Sequence, residues 1–202
     1  MMTTDPTRAW RRETRERILA QRNALSVAER ERLSEHVIAN LDCEFRTLDC
    51  RVLGLYWPIK CEIDVRHWAN QLSKISGIKL ALPVVVEKKA PLEYWEWAMG
   101  DPMVRGVWNI PVPAIKKQIT PDVVISPLVG FSGSYRLGYG GGFFDRTLAS
   151  LKPRPYAIGI GFDMFACPDF VAQPHDIAMD TIITETRSTN DCDTPQLGRI
   201  SS

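Results

Sequence analysis

Between an apolar run, Val123 to Val129, and a helix-like run, Phe143 to Leu151, four of the five positions from Gly138 to Gly142 are glycine. Strand, glycine-rich loop and helix in that order describe the βα unit of a parallel sheet, which constrains the fold more than any other feature. Glycine tolerates backbone angles closed to other residues and lets N–H groups press against a ligand. Such a nest leading into a helix suits phosphate, because the donors and the helix dipole both point at negative charge. Arg136 precedes the nest and Asp145 follows it. One can neutralise phosphate; the other can hold a magnesium ion. Tyr135, Tyr139, Phe143 and Phe144 flank the run instead of the Ser, Asn and Pro of a solvated linker. No Gly-Lys-Ser/Thr follows, so this is not a Walker loop, and the spacing is not that of the dinucleotide fingerprint. On these residues alone, a plain turn or flexible loop remains the competing reading.

A length of 202 residues suits one domain with a substantial core. Net charge is only +1, which argues against a general nucleic-acid binder. Met1 to Gln21 is rich in Arg and Glu and lacks an apolar segment, so it does not read as a secretory signal. No stretch approaches the roughly 18 apolar residues of a membrane span. Cys43, Cys50, Cys61, Cys167 and Cys192 form no C-x-x-C pair and are odd in number, which favours buried thiols in a reducing cytoplasm. His36, His67 and His175 are scattered and give a zinc site little support. At this size a monomer is the default expectation.

Along the chain, Trp10 to Ala24 reads as a helix, with six arginines between Arg8 and Arg22 against two glutamates. Ser26-Val-Ala-Glu29 forms a capping box for a second helix. Arg51 to Trp57 reads as a buried strand ending at Pro58, and Asp64 as the N-cap of a helix through Ile75. Val65, Trp68, Ala69, Leu72 and Ile75 stand at helical spacing there. Ile78 to Val86 is a strand whose Pro83 predicts an edge position or an early end. Leu92 to Trp97 reads as a strand, and Asp101 to Lys117, with three prolines, as loop. Asp122 to Val129, Tyr156 to Gly161 and Met179 to Thr184 complete the strands, with His175-Asp176 in a loop. The aperiodic polar end predicts a domain over 1–186 and a disordered tail over 187–202. Helices and strands alternating at this spacing predict a single α/β domain with a largely parallel sheet flanked by helices.

Pro127-Leu-Val-Gly-Phe131 followed by Tyr135-Arg-Leu-Gly-Tyr-Gly-Gly-Gly-Phe-Phe-Asp-Arg146 resembles the signature of the 5-formyltetrahydrofolate cyclo-ligases, also called 5,10-methenyltetrahydrofolate synthetases. Arg11 and Arg15 resemble the family's basic N-terminal element, with arginine where lysine is common at the first position. Tyr56-Trp57-Pro58 with Glu62-Ile63-Asp64, Trp108-Asn-Ile-Pro111, and His175-Asp176 to Asp180 resemble further family segments, in the family's order over residues 10 to 184. The resemblance implies a fold similar to the NagB/RpiA/CoA-transferase-like fold. It also implies ATP- and magnesium-dependent conversion of 5-formyltetrahydrofolate to 5,10-methenyltetrahydrofolate, with release of ADP and phosphate. The alternative is a paralogue that keeps the nucleotide site but acts on another small molecule, or only binds.

Residue by residue, the resemblance implies that Arg11, Arg15 and the loop Arg136, Leu137, Gly138, Tyr139, Gly140, Gly141, Gly142, Phe143 and Phe144 bind ATP. Arg11 and Arg15, four apart, share one helical face. Trp57, Glu62 and Trp108, with Tyr139 to Phe143, are implied for the folate. Arg136, Asp145 and Tyr139 are the implied catalytic residues, and Asp145 and Asp176 the implied magnesium ligands. Phe143 and Phe144 stand where tyrosines are commoner, and Ser132 where aspartate is frequent; the first change removes two hydroxyls and keeps flat apolar walls. Truncating Asp145 to alanine is expected to abolish turnover with little effect on folding.

Overall fold

The protein alternates helix and strand because apolar residues recur first at helical and then at strand spacing. The structure is a computed structural model and describes residues 6–186; the expected tail and Cys192 lie outside the described residues. Helix α1 (Pro6–Ala24) starts four residues before the expected Trp10, with Pro6 at the first helical position, where its missing N–H costs nothing. Its inward stripe is Arg11, Thr14, Ile18 and Arg22. Helix α2 (Val27–Phe45) follows at once, and the Ser26 hydroxyl accepts from the Glu29 N–H at 3.1 Å, as the capping box requires.

Strand β1 (Val52–Gly54) leads through an extended segment to helix α3 (Arg66–Ser76). Val65, not Asp64, is the capping residue, although the Asp64 carboxylate accepts from the Arg66 N–H at 3.0 Å. Ile75 is exposed, so the buried face of α3 ends before its last turn. Strand β2 (Lys79–Val84) pairs in parallel with β1 and antiparallel with β3 (Glu93–Glu96), so it is not an edge strand. Pro83 is tolerated because the last bond from β1 is the Leu55 N–H to the Ala81 carbonyl. Beyond it no ladder donor is needed on that side.

The expected loop between Asp101 and Lys117 instead contains a short hairpin, β4 (Met103–Arg105) with β5 (Pro111–Pro113). Pro111 and Pro113 sit on a two-stranded ribbon, where one side of each strand needs no partner. Strand β6 (Val123–Pro127) is buried throughout. A second hairpin, β7 (Gly130–Ser132) with β8 (Tyr135–Leu137), stands between β6 and the glycine loop. Helix α4 (Phe143–Ser150), strand β9 (Tyr156–Ile160) and strand β10 (Thr181–Ile183) follow.

The main sheet runs β10-β9-β6-β1-β2-β3, with every pairing parallel except β2 with β3. From β1 the chain builds outward to β2 and β3; from β6 it builds the other way, to β9 and β10. The carboxyl ends of β1 and β6 therefore flank a topological switch point, where connections diverge and leave a crevice. The segment after β1 carries Trp57 and Glu62, and the segment after β6 carries the glycine loop. Among the described residues no helix is long and apolar enough to cross a membrane.

Candidate active site at the sheet switch point

Gly142 caps α4 with φ of +64°, and Gly140 has φ of +90°, so the loop uses conformations that favour glycine. Space is also restricted: a Cβ at Gly140 would stand 3.2 Å from Arg15 Cζ. The Arg15 Nε donates to the Gly138 carbonyl at 2.7 Å, and the Arg146 guanidinium donates to the Gly141 carbonyl at 2.7 Å. Arg146 also lies 4.9 Å from the centre of the Phe143 ring. The first expected arginine pair is thus divided: Arg15 touches the loop, whereas Arg11 lies deeper.

The Arg11 guanidinium is ion-paired with the Asp176 carboxylate and donates to the Val171 carbonyl at 2.9 Å. Burial alone would raise the Asp176 pKa, but the hydrogen bonds from Arg11 and from the Gln173 N–H outweigh it and hold the carboxyl below its ordinary value. Arg136 is buried and pairs with Asp145 at 2.9 Å, with the Phe144 ring 5.1 Å away. Burial depresses the Arg136 pKa against the opposing pull of Asp145. Asp145 accepts as well from the Ile177 N–H at 3.2 Å. Its side chain is only 16% exposed, so it serves as the counterion of a buried cation. The expectation that truncating it has little effect on folding rests on a surface carboxylate, which Asp145 is not: a buried guanidinium would lose its partner. The Arg11, Arg22, Arg136 and Arg146 side chains each bury an Nε that no described group satisfies.

On the opposite wall, the Tyr139 hydroxyl donates to Glu62 at 2.8 Å, and the second Glu62 oxygen accepts from the Ile59 N–H at 2.8 Å. Burial raises the Glu62 pKa; the Ile59 N–H, Tyr139, Arg22 and Lys60 oppose it. Trp57 packs against the core with the Arg66 guanidinium 4.0 Å from its ring centre. Trp108 is 65% exposed at the tip of the β4–β5 hairpin, its ring edge-to-face with Phe143 at 5.4 Å. Glu62, Tyr139, Trp108, Phe143, Arg15, Arg136 and Asp145 thus surround one loop, with Trp57 on the adjoining segment.

Two pairs of non-glycine residues there adopt left-handed backbone: Lys60 and Cys61 (φ +46° and +60°), and Trp108 and Asn109 (φ +54° and +61°). Each such residue costs about 1 kcal/mol or more and persists where surroundings impose it, commonly at functional sites. The Lys60 ammonium stands 5.2 Å from the Tyr139 ring centre. Sequence reasoning missed Lys60, Arg146 and above all Arg22, whose guanidinium is buried and donates to the Tyr139 hydroxyl at 2.5 Å. The signal was present: Arg22 continues the stripe of Arg11, Arg15 and Ile18 at intervals of four, three and four.

Residues 7–185 match the model of the 5-formyltetrahydrofolate cyclo-ligase family. A 5-formyltetrahydrofolate cyclo-ligase from Mycoplasma pneumoniae is 31% identical over 173 residues, covering 85% of this chain and 96% of the relative. One from Escherichia coli K12 is 24% identical, covering 84% and 97%. Among solved structures, a 5,10-methenyltetrahydrofolate synthetase from Aquifex aeolicus superposes with a TM-score of 0.76 at 28% identity, covering 94% of this chain and 97% of that one. The enzyme of the same name from Mycoplasma pneumoniae gives 0.73 at 27% identity, covering 87% and 98%. With a signature loop lodged at the switch point of a parallel sheet, and matches spanning nearly the whole chain, the protein belongs to the 5-formyltetrahydrofolate cyclo-ligase family.

Proposed function

We propose that this chain catalyses the ATP- and magnesium-dependent conversion of 5-formyltetrahydrofolate to 5,10-methenyltetrahydrofolate, releasing ADP and phosphate. The observation that carries the reading is the convergence of the glycine loop and Glu62 at one crevice, linked through the Tyr139 hydroxyl. Relatives bearing the name of this activity support it.

The formyl oxygen of an amide-like carbon is a poor leaving group. Transfer of the γ-phosphoryl group onto it makes phosphate the leaving group, and the side-arm nitrogen closes the ring as phosphate departs. Such a transfer asks the protein mainly for positioning and charge neutralisation. In this reading the N–H groups from Gly138 to Gly142, with Arg15, face the ATP phosphates, and Arg136 and Arg11 stand behind them with their charges shared with Asp145 and Asp176. Phe143 and Phe144 wall the nucleotide side, whereas the Leu137 side chain is fully buried in the core and supports the loop from beneath. Trp57, Glu62, Trp108 and Tyr139 receive the folate beside Gly140, Gly141 and Gly142.

Asp145 is the carboxylate proposed for magnesium, with Asp176 further back. Among the described residues no group of three His, Cys, Asp or Glu side chains gathers into a metal cage. Asp145 and Asp176 are each already paired with an arginine, so an ion there would be held chiefly by phosphate oxygens and water, as magnesium often is. When bound, the ion neutralises charge on the transferring phosphate. We also propose a monomer, the default at this chain length, and a cytoplasmic setting, the latter supported by the free thiols of Cys43, Cys50, Cys61 and Cys167, of which Cys167 is buried as expected and the other three only half-buried.

The test is spectrophotometric. Purified protein given 5-formyltetrahydrofolate, ATP and magnesium should generate the near-ultraviolet band of methenyltetrahydrofolate, and omission of ATP should abolish it. No band at micromolar enzyme would refute the reading.

A further inference from the structure

Arg22 lies outside every segment that carries the family resemblance to ATP or folate, yet it is one of the most buried charged groups in the protein, 3% exposed. A buried guanidinium needs partners. One partner is the Leu128 carbonyl at 3.1 Å, at the carboxyl end of β6; the other is the Tyr139 hydroxyl at 2.5 Å, within the glycine loop. The direction of these bonds follows from chemistry. Arginine has donors only, so the Tyr139 oxygen accepts from Arg22 and its single proton goes to Glu62, 2.8 Å away. Glu62 in turn is anchored by the Ile59 N–H at 2.8 Å. The chain of bonds joins α1, the glycine loop and the segment after β1. Arg22, Tyr56 and Glu62 also line one narrow cavity, closed by Leu128, Gly161 and Phe165.

We propose that Arg22 is a positioning residue for folate, acting through Tyr139 to hold the Glu62 carboxylate at the crevice. This deepens the cyclo-ligase reading and rests on it. Arg22 meets the glycine loop at the Tyr139 side chain, not at its backbone N–H groups; it fixes the hydroxyl that fixes the carboxylate. Because that hydroxyl belongs to the glycine loop, the same relay sets the loop's distance from the folate side.

The groups facing Glu62 are Arg22 from α1, Tyr139 from the loop, and Lys60 and Tyr56 from its own segment. Arg22, Tyr139 and Lys60 each lower the Glu62 pKa against the burial that raises it. Removing Arg22 or the Tyr139 hydroxyl therefore raises that pKa further. The acid limb of kcat/KM for folate then moves to higher pH, a displacement that a purely structural role would not produce.

The experiment measures steady-state kinetics over pH for Arg22→Met, Arg22→Lys, Tyr139→Phe and the double variant Arg22→Met/Tyr139→Phe, together with binding of 5-formyltetrahydrofolate without ATP by tryptophan fluorescence. Arg22→Met and Tyr139→Phe should each raise the folate KM about 10- to 100-fold, the range for a lost hydrogen bond to a charged group. The KM for ATP should change far less. The double variant should be no worse than the worse single one, because both break one chain. Arg22→Lys should recover part of the loss. Additive losses, equal rises in both KM values or an unmoved acid limb would overturn the proposal. If Arg22→Met fails to fold, Arg22→Lys, which keeps the charge, and Tyr139→Phe, which loses only a hydroxyl from a partly exposed residue, carry the test, and an unchanged folate KM in both would overturn the proposal. A wild-type protein that binds folate without turnover would refute the cyclo-ligase reading while leaving the relay to be judged by binding. A wild type that binds no folate would overturn both.

Discussion

Asp145 has a structural duty beside the chemical one proposed for it. Its carboxylate neutralises the buried Arg136 at 2.9 Å and accepts from the Ile177 N–H, tying α4 to the segment before β10. Asp145→Ala should lower stability by about 3–5 kcal/mol, the usual cost of leaving one partner of a buried pair alone. At this chain length that is a fall in Tm on the order of 10 °C. Asp145→Asn keeps the shape but turns one of the two acceptor oxygens into a donor and leaves the Arg136 charge unpaired, so it should recover only part of the Tm and none of the turnover. Thermal melts and the absorbance assay on the same two variants check this, and an active Asp145→Asn enzyme would remove the carboxylate from the proposed magnesium set. The acidic residue was legible in the sequence as a carboxylate directly after a glycine-rich loop. Its second duty was not, because nothing local to residues 136–145 says that Arg136 is buried. The ion pair of Arg11 with Asp176 was hidden for the same reason: 165 positions separate the partners.

At the scale of elements, periodicity served well wherever a segment buries one face. The capping box at Ser26, strand β6 and helix α4 stand close to where apolar spacing puts them. The two hairpins escaped because strands of three residues are too short for alternation to emerge, and because prolines in β5 mimic a loop. One of those hairpins has a consequence for function. It holds Trp108 at its tip, 65% exposed and in left-handed backbone. An exposed residue at positive φ contributes little to folding, so its retention there calls for another cause. Trp108→Gly removes the strained Cβ and the ring together. The variant should melt no lower than wild type, while its folate KM rises several-fold. A fall in Tm with unchanged KM would make Trp108 a structural residue instead.

For the whole molecule, strand order explains what no single motif does. Glu62 and Tyr139 are 77 positions apart, and they meet because β1 and β6 are neighbours whose connections diverge. The largely parallel sheet was legible from the alternation of helices and strands. The strand order was not, since register and adjacency depend on long-range pairing. A crevice with a glycine-rich loop at a helix N-terminus on one side and a half-buried carboxylate on the other suits the proposed phosphoryl transfer from a nucleotide to a substrate with a flat, hydrogen-bonding ring. The central claim is that the γ-phosphoryl group of ATP is passed to the formyl oxygen before the ring closes. The most direct measurement uses 5-formyltetrahydrofolate carrying ¹⁸O in its formyl group, with mass analysis of the inorganic phosphate released. The account predicts one labelled oxygen in each phosphate, formed in step with methenyltetrahydrofolate. Label appearing in water, with unlabelled phosphate and the same folate product, would contradict it.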